Sequence, residues 1–261
     1  MDDVLNTASV PTPTYTVRRI GIADIKAALA AGIDDFRAIP TQLVFLGLLY
    51  PIIGLAAARA ANGELLPLMF PLCAGLSLMG PVMAVGLYEI SRRREAGLPV
   101  SWLNAFDVFK SPAILGIATL GGFLLLVFML WLACARGIYA ATMGPAIVSD
   151  SIRSFLDSVL HTSQGHRLIL LGNLVGFLFA VFVLTISVVS FPMLLDRECS
   201  PGLAVQTSVR AVLRNPATMA IWGLVVAALL VLGSLPVFIG LAVVMPILGH
   251  ATWHLYRRTV V

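Results

Sequence analysis

His250 and His254 stand one helical turn apart near the end of the chain. That spacing puts both imidazoles on one helix face, from which they could ligate a metal or a haem. A zinc site needs a third protein ligand, and haem-copper chemistry needs several histidines deep in the membrane. The other two histidines, His161 and His166, fall on the opposite side of the topology derived below. The pair is therefore read as interfacial histidines near a helix C-terminus, where partial positive charge suits the helix dipole, and no metal or cofactor is expected. Glu89 follows Tyr88 and precedes Arg92 at i+3 and Arg93 at i+4. A carboxylate buried in lipid would imply proton or cation handling. One turn from the Arg92–Arg94 run it can reach water, so a structural ion pair is expected. Asn173 lies in Gly172-Asn173-Leu174-Val175-Gly176, where the small-xxx-small spacing lets two helices approach and an amide can bridge them; packing is favoured over substrate contact. The glycines Gly121, Gly122, Gly240 and Gly249 suit tight packing and hinging alike.

The usual handles of catalysis are missing. No phosphate loop, nucleophile elbow, HExxH or CxxC occurs in the sequence. Asp196-Arg197-Glu198-Cys199 is charged and carries a thiol, yet with no neighbouring His or Cys it reads as a solvated loop. Cys73, Cys134 and Cys199 are too widely separated to imply a disulfide or metal framework. No catalytic residue is assigned, and the chain is not expected to be an enzyme.

The elements that must position these side chains are membrane helices. Of 261 residues, 59% are hydrophobic and only 11% charged, and the mean hydropathy is +0.96, whereas soluble domains are about 45–50% apolar and about 25% charged. The net charge of +4 comes from residues flanking apolar runs rather than from a basic patch, so no nucleic-acid partner is expected. Six runs approach the roughly 20 apolar residues that span a bilayer: 43–60, 65–89, 113–135, 168–191, 217–234 and 236–255. The last two are separated only by Gly233-Ser234-Leu235-Pro236, but as one rod they would measure roughly 58 Å, about twice the hydrocarbon thickness, so a tight turn is expected there. Residues 1–20, with no apolar h-region, read as a disordered cytoplasmic tail rather than a cleaved signal, leaving 21–256 as a single six-span domain.

Placing both ends inside puts every Lys and Arg except Arg59, Arg136, Arg153 and Arg167 on the cytoplasmic side, as the positive-inside rule asks. The loops then show a threefold pattern. Before spans 1, 3 and 5, apolar residues recur at helical steps (Ile22, Ile25, Leu29, Ile33, Phe36; Trp102, Phe106, Phe109; Val205, Val209, Val212), and each stretch ends on a basic residue followed by Pro40, Pro112 or Pro216. An interfacial helix would lie with its apolar face down and its cation at anionic lipid, ending where proline stops it. The even spans each carry a proline towards the cytoplasmic end, Pro81, Pro192 and Pro246. The predicted fold is thus all-α: a polytopic bundle of six transmembrane helices as three hairpins, each preceded by a cytoplasmic amphipathic helix. Basic flanks and proline turns common to any hairpin explain the pattern as well as true repetition does. A further amphipathic helix around Ile152–Val159 is expected to lie flat on the outer face.

The stretch Asp24 to Pro40, the Gly80-Pro81-Val82-Met83 to Tyr88-Glu89 run with its arginines, and Trp102 to Pro112 resemble a family of predicted bacterial integral membrane proteins catalogued as a domain of unknown function. The resemblance implies an inner-membrane, multi-pass protein and carries no site residues with it. Two functions fit. The first is a non-catalytic accessory, scaffold or assembly component of a membrane complex, with anionic lipid, a membrane-protein partner or a second copy of itself as the company it keeps. The alternative is a small transporter for an apolar or amphiphilic solute.

Overall fold

Apolar runs without proline fold here as unbroken helices, and proline or glycine marks most interruptions. The computed structural model describes residues 15–41, 69–144, 152–236 and 238–261. Every regular element among them is helical: α1 (Ile22–Ala38), α2 (Met69–Leu78), α3 (Gly80–Met83), α4 (Val85–Glu95), a 3-10 helix (Trp102–Lys110), α5 (Ile114–Met143), α6 (Ile152–His161), α7 (Ser163–Ser187), α8 (Ser190–Asp196), α9 (Pro201–Arg214), α10 (Pro216–Ser234) and α11 (Leu241–Thr259). Three stretches are long and apolar enough to cross a membrane: α5, the continuous Ser163–Asp196 rod of α7 and α8, and α10, with mean hydropathies of 2.4, 2.6 and 2.1.

This is the expected all-helical chain with membrane-length apolar helices. The first expected span, 43–60, and the start of the second lie outside the described residues. The described part of the second is not one rod, because Gly80 and Pro81 open a short separate helix between α2 and α4. Within the Ser163–Asp196 rod the irregularity falls at Val188–Val189, where Pro192 has no N–H to give to the carbonyl four residues earlier. In the sixth expected run the helix, α11, starts only at Leu241 and is not one of the three membrane-length apolar stretches; Leu235, Pro236 and residues 238–240 lie in the break after α10. There Gly240 packs so closely on Gly233 that a Cβ would lie 2.8 Å from its Cα. Two of the three expected amphipathic segments are α-helical, α1 and α9. The third winds as a 3-10 helix, opened by Ser101, whose N–H donates to Asn104 Oδ1 (2.7 Å).

The packed face of α5 is a stripe at steps of three and four: Ile117, Leu120, Leu124, Val127, Trp131, Ala135 and Tyr139. Trp131 joins three helices, its Nε1–H donating to Pro71 O (2.8 Å) and its ring meeting Phe179 at 5.6 Å. The densest packing gathers at the basic end, where Tyr88, Phe191, Trp253 and Tyr256 are almost wholly buried. The chain's ends meet there as well. Residues 15–20, expected as part of a disordered tail, are instead fixed: Arg18 N–H donates to Thr259 O (2.8 Å), Val261 N–H to Thr16 O (3.0 Å), and Ile20 N–H to Asn215 Oδ1 (2.8 Å). Backbone groups that would otherwise need water find partners in the C-terminal strand-like segment and in the α9–α10 junction. The remainder of the expected tail, 1–14, lies outside the described residues.

Candidate functional site

The buried stripe of α1 is Ile25, Ala28, Gly32 and Asp35. Two small residues in its middle let α11 come close: a Cβ on Gly32 would stand 2.6 Å from Ala251 N and 2.8 Å from Ile247 O. That approach carries the last member of the stripe, Asp35, onto the face of α11 that holds His250 and His254. Asp35 is only 2% exposed. Its Oδ2 accepts from Ser91 Oγ (2.6 Å) and from His254 Nε2 (2.8 Å), and its Oδ1 accepts from the Arg94 guanidinium. Arg94 also reaches Asp34 at 3.0 Å. Ser91 Oγ lies 2.8 Å from His250 Nδ1. Because the Ser91 proton goes to Asp35, His250 Nδ1 must be the donor in that contact, which leaves Nε2 as an acceptor. This Nε2 is buried without a partner.

Burial by itself would raise the Asp35 carboxyl, but hydrogen bonds from His254, Ser91 and Arg94 outweigh it and hold the group at about 2, against an ordinary 3.8. A carboxylate depressed on folding stabilises the folded state fully above its unfolded pKa and ceases to do so as pH falls through the folded one. Asp35 therefore contributes on the order of 2 kcal/mol above pH ~4 that disappears between about pH 4 and pH 2. Melting curves of the wild type and Asp35→Asn are expected to converge across that window and to stay apart at neutral pH; a constant gap down to pH 2 would contradict the assignment.

In a nucleophilic triad the imidazole stands between hydroxyl and carboxylate and takes the hydroxyl proton. Here the hydroxyl stands between carboxylate and imidazole, and its proton already belongs to Asp35, so His250 cannot act as base towards Ser91. Neither Ser91 nor His250 is exposed at all. His254 spends its Nε2 on Asp35, and among the described residues no group of three or more His, Cys, Asp or Glu is placed to hold a metal ion. What the arrangement does is join helices: α1, α4 and α11 meet through one shared carboxylate. Around it α11 makes further ties, Trp253 Nε1–H and Arg257 Nε–H to Glu95 (2.9 and 3.0 Å), and Tyr256 O–H to Asp196 at the end of α8 (2.7 Å).

The histidines singled out from spacing are thus brought together with each other, but as partners of Asp35 and Ser91 rather than as free interfacial side chains. His161 and His166 stand away from them, His161 beside Asp157 (3.1 Å) and His166 near the start of the Ser163–Asp196 rod. Glu89 is buried on α4 and paired with Arg92 through two bonds of 2.8 Å, with Arg93 at 4.0 Å. Asn173 does not bridge helices. It is exposed, and its Nδ2 donates to Ile169 O of its own helix (2.8 Å); the i−4 carbonyl satisfies the amide locally. The close contact in that motif belongs to Gly176, against the ring of Trp131.

The chain matches no curated protein and no solved structure. A family match covers residues 69–196, which include Gly80–Glu89 and Trp102–Pro112 but not the Asp24–Pro40 stretch. That match, running from α2 through α8 and so including the Ser91 and Arg94 of the polar cluster, is to the family described as predicted integral membrane protein (DUF2189).

Proposed function

We propose that this chain is a non-catalytic scaffold or assembly component of a larger complex in the bacterial inner membrane, with both ends on the cytoplasmic side. The observation that carries the reading is how little of each membrane helix the chain covers for itself. Only 33% of the apolar window of α5, 39% of that of the Ser163–Asp196 rod and 17% of that of α10 is buried internally. The polar groups that might do chemistry are engaged with one another at the basic end, while long apolar faces are turned outward. Such faces suit lipid and partner helices alike. The pairing of residues 16–18 with 259–261 supports a common side for both ends, and Arg257 and Arg258 favour the cytoplasm.

A photo-crosslinker at Leu224 or Val231 on the outward face of α10, activated in intact membranes, is expected to give one discrete protein adduct from α10, either another protein or a second copy. Lipid adducts alone, together with a monodisperse monomer in mild detergent, would overturn the proposal. A second reading, a permease for an apolar or amphiphilic solute, draws support from the interruptions at Met79–Ala84 and Val188–Val189, which are similar to the discontinuous helices of transporters. Solute flux in reconstituted vesicles that vanishes in empty ones would favour it.

A further inference from the structure

A cavity of about 430 Å³ opens between α3, α4, the 3-10 helix and the first turns of α5. Sites for apolar ligands run from about 300 to 1,000 Å³, so it has room for more than a packing defect. Val82, Leu87, Ile117, Trp102 and Phe106 form much of its wall. Into this apolar lining the C-terminal side of α1 contributes Thr41, which is 3% exposed and whose Oγ1 has no hydrogen-bond partner. A hydroxyl so placed forgoes a bond that water would have given it.

The surroundings specify what would complete it. Trp102, Phe106 and Phe109 are 46%, 50% and 72% exposed, and the amphipathic indole of a tryptophan such as Trp102 sits at the headgroup level of a bilayer. The same short helix ends on Lys110, whose side chain is 82% exposed, and Arg93 lies 3.4 Å from Asp107 with its buried Nε unpartnered. Arg92, Arg93 and Lys110 stand here against the carboxylates of Glu89 and Asp107, which leaves this end of the groove one charge positive. An apolar slot, one hydroxyl donor and a cationic rim follow the order of an acyl chain, its ester carbonyl and a phosphate.

We propose that this groove binds one anionic membrane phospholipid, its acyl chain in the cavity, its ester oxygen accepting from Thr41 Oγ1–H and its phosphate facing Lys110 and Arg93. The site stands apart from the Asp35 cluster and depends neither on the scaffold reading nor on the permease reading.

Native mass spectrometry of the full-length protein, delipidated in detergent and titrated with phosphatidylglycerol, tests it. One phospholipid is expected to be retained at low lipid concentration and to bind more tightly than phosphatidylcholine of the same chains. Ala118, which lines the cavity and is otherwise exposed, gives the blocking variant: Ala118→Phe is expected to abolish retention without touching the core. Thr41→Val keeps the shape but removes the donor, and is expected to weaken binding about fivefold, the share of one hydrogen bond. As an independent readout, phosphatidylglycerol brominated on the acyl chain should quench wild-type tryptophan fluorescence by a component that is missing in Trp102→Phe. The proposal is overturned if no lipid is retained above the non-specific ladder, if phosphatidylcholine binds equally well, if Ala118→Phe folds and binds as the wild type does, or if a second copy of the chain occupies the groove and lipid binds only elsewhere.

Discussion

Asp35→Ala is expected to lower the unfolding free energy of the protein in detergent by about 3 kcal/mol, the scale at which a buried charge pair is broken from one side. For a chain of this size that corresponds to a melting point roughly 6–12 °C lower. The loss is unequal among the carboxylate's partners. Arg94 is about one-third exposed and keeps Asp34, so it turns to water at little cost. Ser91 and His250 have no exposure; deprived of Asp35, the serine proton can turn only to His250 Nδ1, which moves the imidazole proton to Nε2, buried without a hydrogen-bond partner. Asp35→Asn keeps an acceptor oxygen but sets an amide against Arg94, and should fall between wild type and alanine. Thermal unfolding followed by far-ultraviolet circular dichroism at pH 7 measures all three. An alanine variant melting within a degree of the wild type would mean that the cluster does not hold these helices together.

Periodicity made the helices themselves readable, because a bilayer demands long apolar runs and a proline removes a donor wherever it falls. The amphipathic stretch ahead of Pro40, the one ahead of Pro216 and the break after Ser234 all appear close to where the residues put them. The polar cluster was only half readable. His250 and His254 announce each other by their spacing, and Glu89 announces Arg92, since those partners lie within one turn. Asp35 does not, for its bonds reach Ser91, Arg94 and His254 across 56, 59 and 219 positions.

A second reason lies in α1. Its apolar residues suggest a single membrane-facing stripe, with Asp35 counted among the polar remainder. In the fold Ile22 is well exposed, and the stripe that packs is Ile25, Ala28, Gly32 and Asp35. The available signal was the small pair Ala28 and Gly32 at i and i+4, the spacing that lets helix backbones approach, followed by a carboxylate one turn on. The converse happened in α7, where the small pair Gly172 and Gly176 suggested an interhelical amide. Spacing names a face that can be approached; it does not say whether a neighbour's polar group waits there.

Gly32 is where that approach is closest, and its substitution should have the second large effect. A Cβ there would fall 2.6 Å from Ala251 N, 2.8 Å from Ala251 Cβ and 2.8 Å from Ile247 O. Two of those atoms are backbone and cannot rotate away. Alanine gains about 1 kcal/mol of helix propensity over glycine, yet overpacking against a rigid neighbour costs about 1–3 kcal/mol and more where nothing yields. Gly32→Ala should therefore destabilise by about 1–2 kcal/mol net, and Gly32→Leu should lift α1 from α11 altogether. Undocking exposes the α1 backbone, so trypsin should cut after Lys26 and Arg37 at least tenfold faster in Gly32→Leu than in the wild type, while the membrane helices stay intact. Because Asp35 reaches the histidines only when α1 is docked, the two sites must couple. In the Gly32→Leu background, Asp35→Ala should add less than about 0.5 kcal/mol to a loss that it would otherwise bring almost in full. If the two losses instead add, Asp35 is held in place by something other than the Gly32 contact, and the close approach of α1 to α11 is not what assembles the cluster.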